Sequence, residues 1–414
     1  MSTPAARARR KAGRRGRALI RDNEWALPLI GAIVGTVLGF ALFNVDGASG
    51  SDWAVTVSLS RATLATLVAL MFTILSLSMS LTTLTLDNLS GHLSMRMLTV
   101  AASDYRSRIA TSVFALAVSF IGVELYKLTD YASDELTPRI PFAVAMLLII
   151  ASGVALFWQL NYTIQSLRLD RSLTRLKRVT QRSARSDTRR FRGWGPAARP
   201  VESDAGVALL AEESSYVIEH DLEALREVAQ TGQTIAIDAE VGAPVVIGEV
   251  IGWVDGPDVT ASILADVWSA VDIGPGRDAG HDAGFAIRIF VDIASLALSP
   301  AVNDPYTAVQ VVDQLSAVFA DLARGQLGPR ALSRDGDVVA WVAAPTLADH
   351  LELATEQISR YGASERQVVD SLVGLCDTVE RCATSDDERT AASDRRRAVL
   401  ASATGSTHYS RSDR

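Results

Sequence analysis

Four long apolar runs dominate the first part of the chain. They cover residues 25–45, 62–86, 109–128 and 142–164. An apolar α-helix of about 20 residues is long enough to cross the roughly 30 Å hydrocarbon core of a bilayer. The pattern therefore predicts an α-helical membrane domain of four transmembrane helices, preceded by a basic arm at residues 1–24.

Segments rich in lysine and arginine alternate along the chain with loops that contain few of them. Twenty-one of them lie in the N-terminal arm, the 87–108 loop and the 165–192 stretch, whereas the other two loops hold only Arg61, Lys127 and Arg139. Loops rich in Lys and Arg stay on the cytoplasmic side of a membrane. We therefore expect both ends of the chain to be cytoplasmic.

After the fourth run the pattern becomes that of a globular protein. Residues 165–204 are predicted to form a basic helical stem and a linker broken by Gly and Pro. Residues 205–383 are predicted to form an α+β cytoplasmic domain, and the alternation at 234–241 indicates a small β-rich subdomain near its start. The polar residues 384–414 are expected to be a disordered tail.

Charge divides the chain in the same place. Residues 1–192 carry a net charge of +12, and residues 193–414 carry −19. The acidic part should repel nucleic acid, which excludes nucleic-acid binding as the main function. The basic clusters should attract anionic lipids of the bilayer. A second copy of the chain and an unidentified protein are the other partners that the sequence allows.

Three glycines in the first run are spaced four residues apart, at Gly31, Gly35 and Gly39. At this spacing they share one helix face and allow another helix backbone to approach closely. That helix can belong to the same subunit or to a second copy, and the sequence leaves both alternatives open.

The second run carries a continuous line of small and hydroxylated residues. Spacings of four and three place them along one face of a helix. The line, here called the α2 seam after the second predicted helix, consists of Ala62, Thr66, Ala69, Thr73, Ser76, Ser80, Thr83 and Asp87. Serine and threonine in a helix can bond to their own backbone carbonyls, so the seam can be a dry packing surface. The alternative is the lining of a solute path.

The third run contains one carboxylic acid, Glu124, about a turn before its predicted outer end. Ionisable groups inside membranes are costly and mark functional sites by default. Nearness to the interface weakens that interpretation, and a role in the membrane domain remains a hypothesis.

A polar group also follows one helical stretch of the α+β domain. Arg288 and Asp292 are four residues apart and can pair on one helix. The segment Ser299-Pro300-Ala301-Val302-Asn303-Asp304-Pro305 then predicts a helix stop, a turn at Asn303, an N-cap at Asp304 and a helix start at Pro305. A structural turn with a surface ion pair is one interpretation. A ligand or partner site at Arg288, Asp292, Ser299, Asn303, Asp304 and Pro305 is the other.

These residues also carry a resemblance. Phe285–Arg288, Val291–Ala294, Ala297–Pro300 and Asn303–Ala308, together with the end of the second run, resemble an uncharacterised family of bacterial predicted membrane proteins defined by a domain of unknown function. The resemblance covers about residues 20–383 and implies the bacterial plasma membrane and this architecture. The chain has Ser94-Met95-Arg96 where the family is expected to have Pro-Arg.

No catalytic, cofactor-binding or metal-binding motif accompanies these features, and no cofactor is predicted. The sequence leans against an enzyme without deciding it. Two functional classes remain. One is an oligomeric channel or transporter-like assembly with a cytoplasmic regulatory domain. The other is a membrane-anchored sensor or scaffold that binds a partner or small ligand through its acidic domain.

Overall fold

The computed structural model describes residues 25–45, 55–92, 96, 105–133, 135, 137–166, 169–229 and 232–412. The chain divides into two compact units. The first contains the apolar helices, and the second contains residues 170–414 together with the short segment 92–99. The predicted basic arm at 1–24 lies outside the described residues.

Among the described residues of the first unit, four helices are long and apolar enough to cross a membrane. They are α1 (Ala26–Val45), α2 (Val57–His92), α3 (Tyr105–Lys127) and α4 (Arg139–Ser166). A 3₁₀ turn, Leu128–Asp130, extends α3. The four predicted runs are therefore confirmed as helices, and α2 is longer than its apolar part at both ends.

The glycine face of α1 packs on α3 of the same subunit. A Cβ atom at Gly31 would lie 2.5 Å from the carbonyl oxygen of Ser112, and one at Gly35 would lie 2.3 Å from that of Leu116. Both distances are shorter than any tolerated contact, so only glycine permits this approach of the two backbones. Gly39 lies against the side chain of Val123 in the same way. Of the two alternatives for these glycines, the structure has the intramolecular one.

Two polar contacts join other parts of the bundle. Ser78 of α2 donates a 2.7 Å hydrogen bond to the amide oxygen of Gln159 on α4, and both side chains are buried. At the other end of α2, the Arg61 guanidinium donates to the backbone carbonyls of Leu128 and Tyr131. Arg61 thereby provides hydrogen bonds to carbonyl groups at the C-terminal end of α3, where a helix leaves them without internal partners.

The second unit begins with an amphipathic helix, α5 (Leu169–Arg190), whose Leu173 and Leu176 are buried. Two sheets follow. The strands are β1 (Gly195–Pro196), β2 (Val207–Leu210), β3 (Ser215–His220), β4 (Thr234–Ile237), β5 (Pro244–Val245), β6 (Val250–Asp255), β7 (Val271–Gly274), β8 (Arg330–Arg334) and β9 (Asp337–Val342). One sheet has six strands in the order β1-β8-β9-β4-β6-β2, and the other has three antiparallel strands.

Alternating residues of the six-stranded sheet face two different apolar clusters. Ile235 and Ile237 of β4 point to the larger cluster, which also contains the short helices α6 (Leu222–Ala229) and α7 (Ala261–Trp268). Ala236, between them, points to the opposite face with Trp253 and other residues. β4 also pairs in parallel with β9, which follows it by about a hundred residues. The larger sheet therefore joins strands from the start of the domain to strands near its end.

The remaining helices form a second layer. They are α8 (Ala283–Ala297), α9 (Pro305–Leu322), α10 (Leu347–Tyr361), α11 (Arg366–Cys382) and α12 (Asp386–Ser412). Most side chains of α8 are buried, which makes it the central helix of this layer.

The expected disordered tail is replaced by helix α12, and that expectation was wrong for residues 386–412. Ala392 and Val399, seven residues apart, are buried. Arg396 forms a 3.0 Å ion pair with Asp377 of α11, and Arg395 donates to the hydroxyl of Thr355 on α10. Small buried side chains and ion pairs hold this helix, so its sequence lacks the apolar stripe that would have revealed it.

The α1–α3 packing predicts that a Gly→Ala substitution affects stability differently at two glycines. Gly35→Ala should destabilise the membrane domain by about 1–3 kcal/mol because the added methyl group collides with the Leu116 carbonyl. Gly122→Ala is the matched control, since a Cβ atom there meets nothing within 4 Å. It should be neutral or stabilise by about 0.5–1 kcal/mol, as Ala favours helices. Thermal unfolding of the purified variants in detergent measures both, and equal midpoints would contradict the packing.

Candidate functional site

The α2 seam lies on the surface of the subunit. All eight of its residues, from Ala62 to Asp87, are exposed. The opposite face of α2 points into the bundle, and its buried residues are Val57, Ser60, Leu64, Met71 and Ser78. The predicted side chains Thr73, Ser76, Ser80, Thr83 and Asp87 therefore share one face, and this face is turned away from the other helices of the same subunit.

Most hydroxyl groups of the seam bond within their own helix. Thr73 donates to the carbonyl of Ala69 at 3.1 Å, Ser80 to that of Ser76 at 3.0 Å and Thr83 to that of Met79 at 3.1 Å. Around Ser76 the small side chains leave a shallow groove, lined also by Phe72 and Leu77. Each of these hydroxyls keeps acceptor capacity toward a neighbour or a solute while its proton is satisfied.

The turn between α8 and α9 has the local structure that the sequence predicted. Asp304 is the N-cap of α9 and accepts hydrogen bonds from the backbone N–H and the hydroxyl of Thr307. These bonds hold the pKa of Asp304 below its usual range. Pro305 is the first helical residue, and Asn303 adopts a left-handed backbone with a φ of 49°. The backbone carbonyl of Ser299 accepts from the N–H of Asn303.

Arg288 and Asp292 pair on α8, as their spacing predicts, at a distance of 3.1 Å. Asp292 also pairs with Arg96, a contact that sequence spacing could not reveal. Arg96 belongs to the segment 92–99, which is part of the same compact unit as α8. The carboxylate of Asp292 is thus shared by two guanidinium groups, one of which lies just beyond the end of α2 in the chain.

The polar residues of α8 continue along one face toward the turn. Ser295 and Ser299 follow Asp292 at helical spacing, and their hydroxyl oxygens are buried without a hydrogen-bond partner. In contrast, Asn303 is exposed. The described contacts in this region include a capped turn at Asp304 and an ion-paired face of α8.

A second polar group in this domain was missed from sequence. The side chain of Asp282, the N-cap of α8, accepts a 2.8 Å bond from the Phe285 N–H and a 2.7 Å bond from Arg277. Gly242, with a φ of 89°, lies directly over this pair, because a Cβ atom there would be 2.3 Å from the Asp282 carboxylate. His350 of α10 is buried beside Gly284.

Burial shifts the titration of this second group. It lowers the pKa of His350, although the carboxylates of Asp282 and Asp349 oppose the shift. Burial also raises the pKa of Glu240, and Asp349 and Asp282 add to that effect. Among the residues that the structure describes, no three His, Cys, Asp or Glu side chains are close enough together to hold a metal ion.

The burial of His350 predicts a pH dependence of stability. Because its pKa in the folded protein is below the usual value of about 6.5, protonation favours the unfolded chain. The stability is therefore present above about pH 6.5 and is lost as the pH falls. The unfolding midpoint of wild type, followed by tryptophan fluorescence, should fall more steeply with acidification than that of His350→Gln.

The dependence should be reduced rather than abolished in that variant. Buried His220, whose pKa is lowered to about 4, remains in both proteins. Parallel midpoint curves for the two proteins would show that His350 does not titrate with folding.

Comparison with known proteins adds three relatives. One is an uncharacterized protein of Mycobacterium bovis, and two are uncharacterized proteins from two strains of Mycobacterium tuberculosis. Each is 29% identical over 395 residues, which cover 90% of this chain and 74% of the relative. No solved structure matches the chain.

A family model described as predicted membrane protein (DUF2254) matches residues 21–378. This range includes the four apolar helices and all of the domain up to α11, and it confirms the resemblance drawn from the residues around Ser299–Pro305. The chain therefore belongs to the DUF2254 family of predicted membrane proteins.

Proposed function

We propose that this protein forms a homo-oligomeric, channel-like assembly in the bacterial plasma membrane, with the α2 seams of several copies facing a common solute path. The observation that carries the proposal is the exposure of the whole seam, from Ala62 to Asp87, on the surface of the subunit. Four packed helices have no room for a water path between them. A path bounded by this face therefore needs more than one copy.

The chemistry of the seam supports contact with something other than lipid. Small and hydroxylated residues are typical of surfaces where membrane helices meet, or of pore linings, because lipid tails gain nothing from them. The other exposed faces of the bundle are large and apolar, for example Leu147 and Phe157 of α4. The contrast between these surfaces distinguishes the seam from a lipid-facing one.

The distribution of basic residues supports cytoplasmic ends for the chain. Twenty-one Lys and Arg residues lie on one predicted side and three on the other. In this orientation Asp87 is at the cytoplasmic end of the seam, and the acidic domain is in the cytoplasm. A regulatory role is proposed for this acidic domain, whose central helix carries the ion pair between Asp292 and Arg96.

Thiol accessibility tests whether the seam is wet. In a background with Cys376 and Cys382 replaced by alanine, Ser76→Cys should react with a charged, membrane-impermeant methanethiosulfonate in proteoliposomes. Leu147→Cys is the matched control, since Leu147 is 64% exposed on the subunit surface but lies on α4. It should not react, because a lipid-facing thiol is not ionised and not reached by the reagent.

Conductance in planar bilayers is the second measurement. Ser80→Leu, which places a large apolar side chain on the seam, should reduce ion flux, and a leucine-to-isoleucine change at Leu147 should leave it unchanged. An unreactive Ser76→Cys, or wild-type protein without ion flux under voltage, tension or a pH change, would count against a conducting path.

A sensor or scaffold is the second candidate, and the α8–α9 turn favours it. The turn is stabilised internally by Asp304, yet Val302 and Tyr306 are 52% and 65% exposed. An apolar and an aromatic side chain on a rigid turn are suited to anchoring a protein partner. A cytoplasmic protein would then recognise the domain here.

Photo-crosslinking in cells tests this candidate. A benzophenone amino acid at Tyr306 should give a defined crosslinked species, and the same amino acid at Tyr361, which is 55% exposed on α10, should not. Loss of the species on Val302→Asp would support the site. The same products from both positions, or none from Tyr306, would oppose a partner at the turn.

A further inference from the structure

Glu124 occupies an unusual place for a carboxyl group. It lies on α3, about one turn before Leu128, and its side chain is 1% exposed. Neither of its carboxyl oxygens has a hydrogen-bond partner. The side chain is therefore enclosed by the helix bundle itself, before any lipid is considered.

The surroundings of Glu124 are apolar. It shares the inner face of α3 with Ala117, Ile121 and Leu128, which recur at spacings of four and three. These three residues belong to the central apolar cluster of the bundle. The cluster also contains Val57, Leu64 and Met71 of α2 and Ala145 of α4.

Among the residues that the structure describes, no charged group of a neighbouring element pairs with Glu124. The Arg61 guanidinium is bound to the carbonyls of Leu128 and Tyr131, and the Lys127 ammonium lies 5.3 Å from the centre of the Phe40 ring. Helix α1 contains no ionisable residue, and α4 has Arg139 at its first position but none within its span. Asp130 is exposed beyond the end of α3.

An isolated carboxylate in such a place is strongly disfavoured. Transfer of an unpaired ion from water to an apolar medium is so costly that proteins avoid it by neutralising the group. A neutral carboxylic acid still loses hydrogen bonds on burial, but at a much smaller cost. The enclosed geometry is therefore that of a side chain carrying its proton.

We propose that Glu124 is a proton-binding site of the membrane domain. A metal ion fits this site less well than a proton, because Ca²⁺ and Mg²⁺ require about six coordinating oxygen atoms. Among the described residues, no group of acidic or metal-binding side chains surrounds Glu124. The proton is the one cation that a single carboxyl group can bind in an apolar setting.

Release of this proton requires a change in the bundle. The resulting carboxylate has to meet water or a cation. Leu128, one turn beyond Glu124 at the end of α3, accepts a hydrogen bond from Arg61 of α2. The proton site itself does not depend on the seam conducting ions.

Infrared difference spectroscopy of the full-length protein in liposomes tests the proposal. At neutral pH, wild type minus Glu124→Gln should contain the carbonyl band of a neutral carboxylic acid. The band should shift when the protein is made with ¹³C-labelled glutamate. Glutamine has nearly the same shape without the charge, so the variant should fold, and its thermal unfolding checks this.

Carbodiimide labelling provides the site assignment. Dicyclohexylcarbodiimide is apolar and reacts with protonated carboxyl groups, and it should modify Glu124 at neutral pH, as read by mass spectrometry of peptides. The exposed carboxylate of Glu135 is the internal control and should remain unmodified. If Glu124→Gln does not fold, a pH titration of the labelled wild type gives the same band.

Absence of the carboxylic acid band at neutral pH, with a carboxylate band in its place, would overturn the proposal. Failure of ion flux in bilayers would not affect it, so the failure of this inference can be distinguished from the failure of the proposed channel.

Discussion

The absence of hydrogen-bond partners in a lipid bilayer is the constraint on which the first unit depends. Every backbone polar group in the spanning helices has to be satisfied by the protein itself, and a side-chain polar group without a partner, such as that of Glu124, is costly. The hydroxyls of α2 meet this demand by bonding to carbonyls one turn back, and Ser78 meets it by pairing with Gln159. With these hydroxyl groups satisfied, dispersion contacts between helices drive the packing. The glycines of α1 allow this helix to approach α3 closely.

The same physics explains which parts of the membrane unit could be predicted. Length and hydropathy reveal a spanning helix because the bilayer imposes both, so all four helices were found from the sequence. The glycine spacing identified a close helix contact but not the partner. That choice depends on the carbonyl groups of Ser112 and Leu116, which have no sequence signal of their own.

In the second unit, prediction succeeded where the signal is local. The capped start of α9 at Asp304-Pro305 and the Arg288–Asp292 pair follow from spacings of a few residues. It failed where residues distant in the chain meet. The parallel pairing of β4 with β9 joins strands about a hundred residues apart, and Asp292 meets Arg96 across nearly two hundred. Short strands such as β1 and β8 acquire their conformation from such neighbours, and α12 acquires its position from side chains too small to form an apolar stripe.

The candidate sites show the same division. The α2 seam could be read from the sequence as a set of residues, since helical periodicity alone places them on one face. Whether that face points inward or outward depends on which side of α2 carries Leu64, Met71 and Ser78, and both sides contain apolar and hydroxylated residues. The group around Asp282, Arg277 and His350 had no such periodic signal, because its members come from a loop and the starts of two helices.

The two polar features of the membrane unit differ in burial. The mild hydroxyl groups of the seam are outside, whereas the potentially charged group, Glu124, is inside. The only cost of a hydroxylated outer face is that its small side chains make few packing contacts. Such a face is therefore compatible with a surface that other copies cover. Burial of a carboxyl group is costly when the group is ionised and tolerable when it is protonated. Arg61 belongs to α2, which carries the seam, and it donates hydrogen bonds at the end of α3 that follows Glu124. The contact of Arg61 with the end of α3 therefore joins the helix that carries the seam to the helix that carries Glu124.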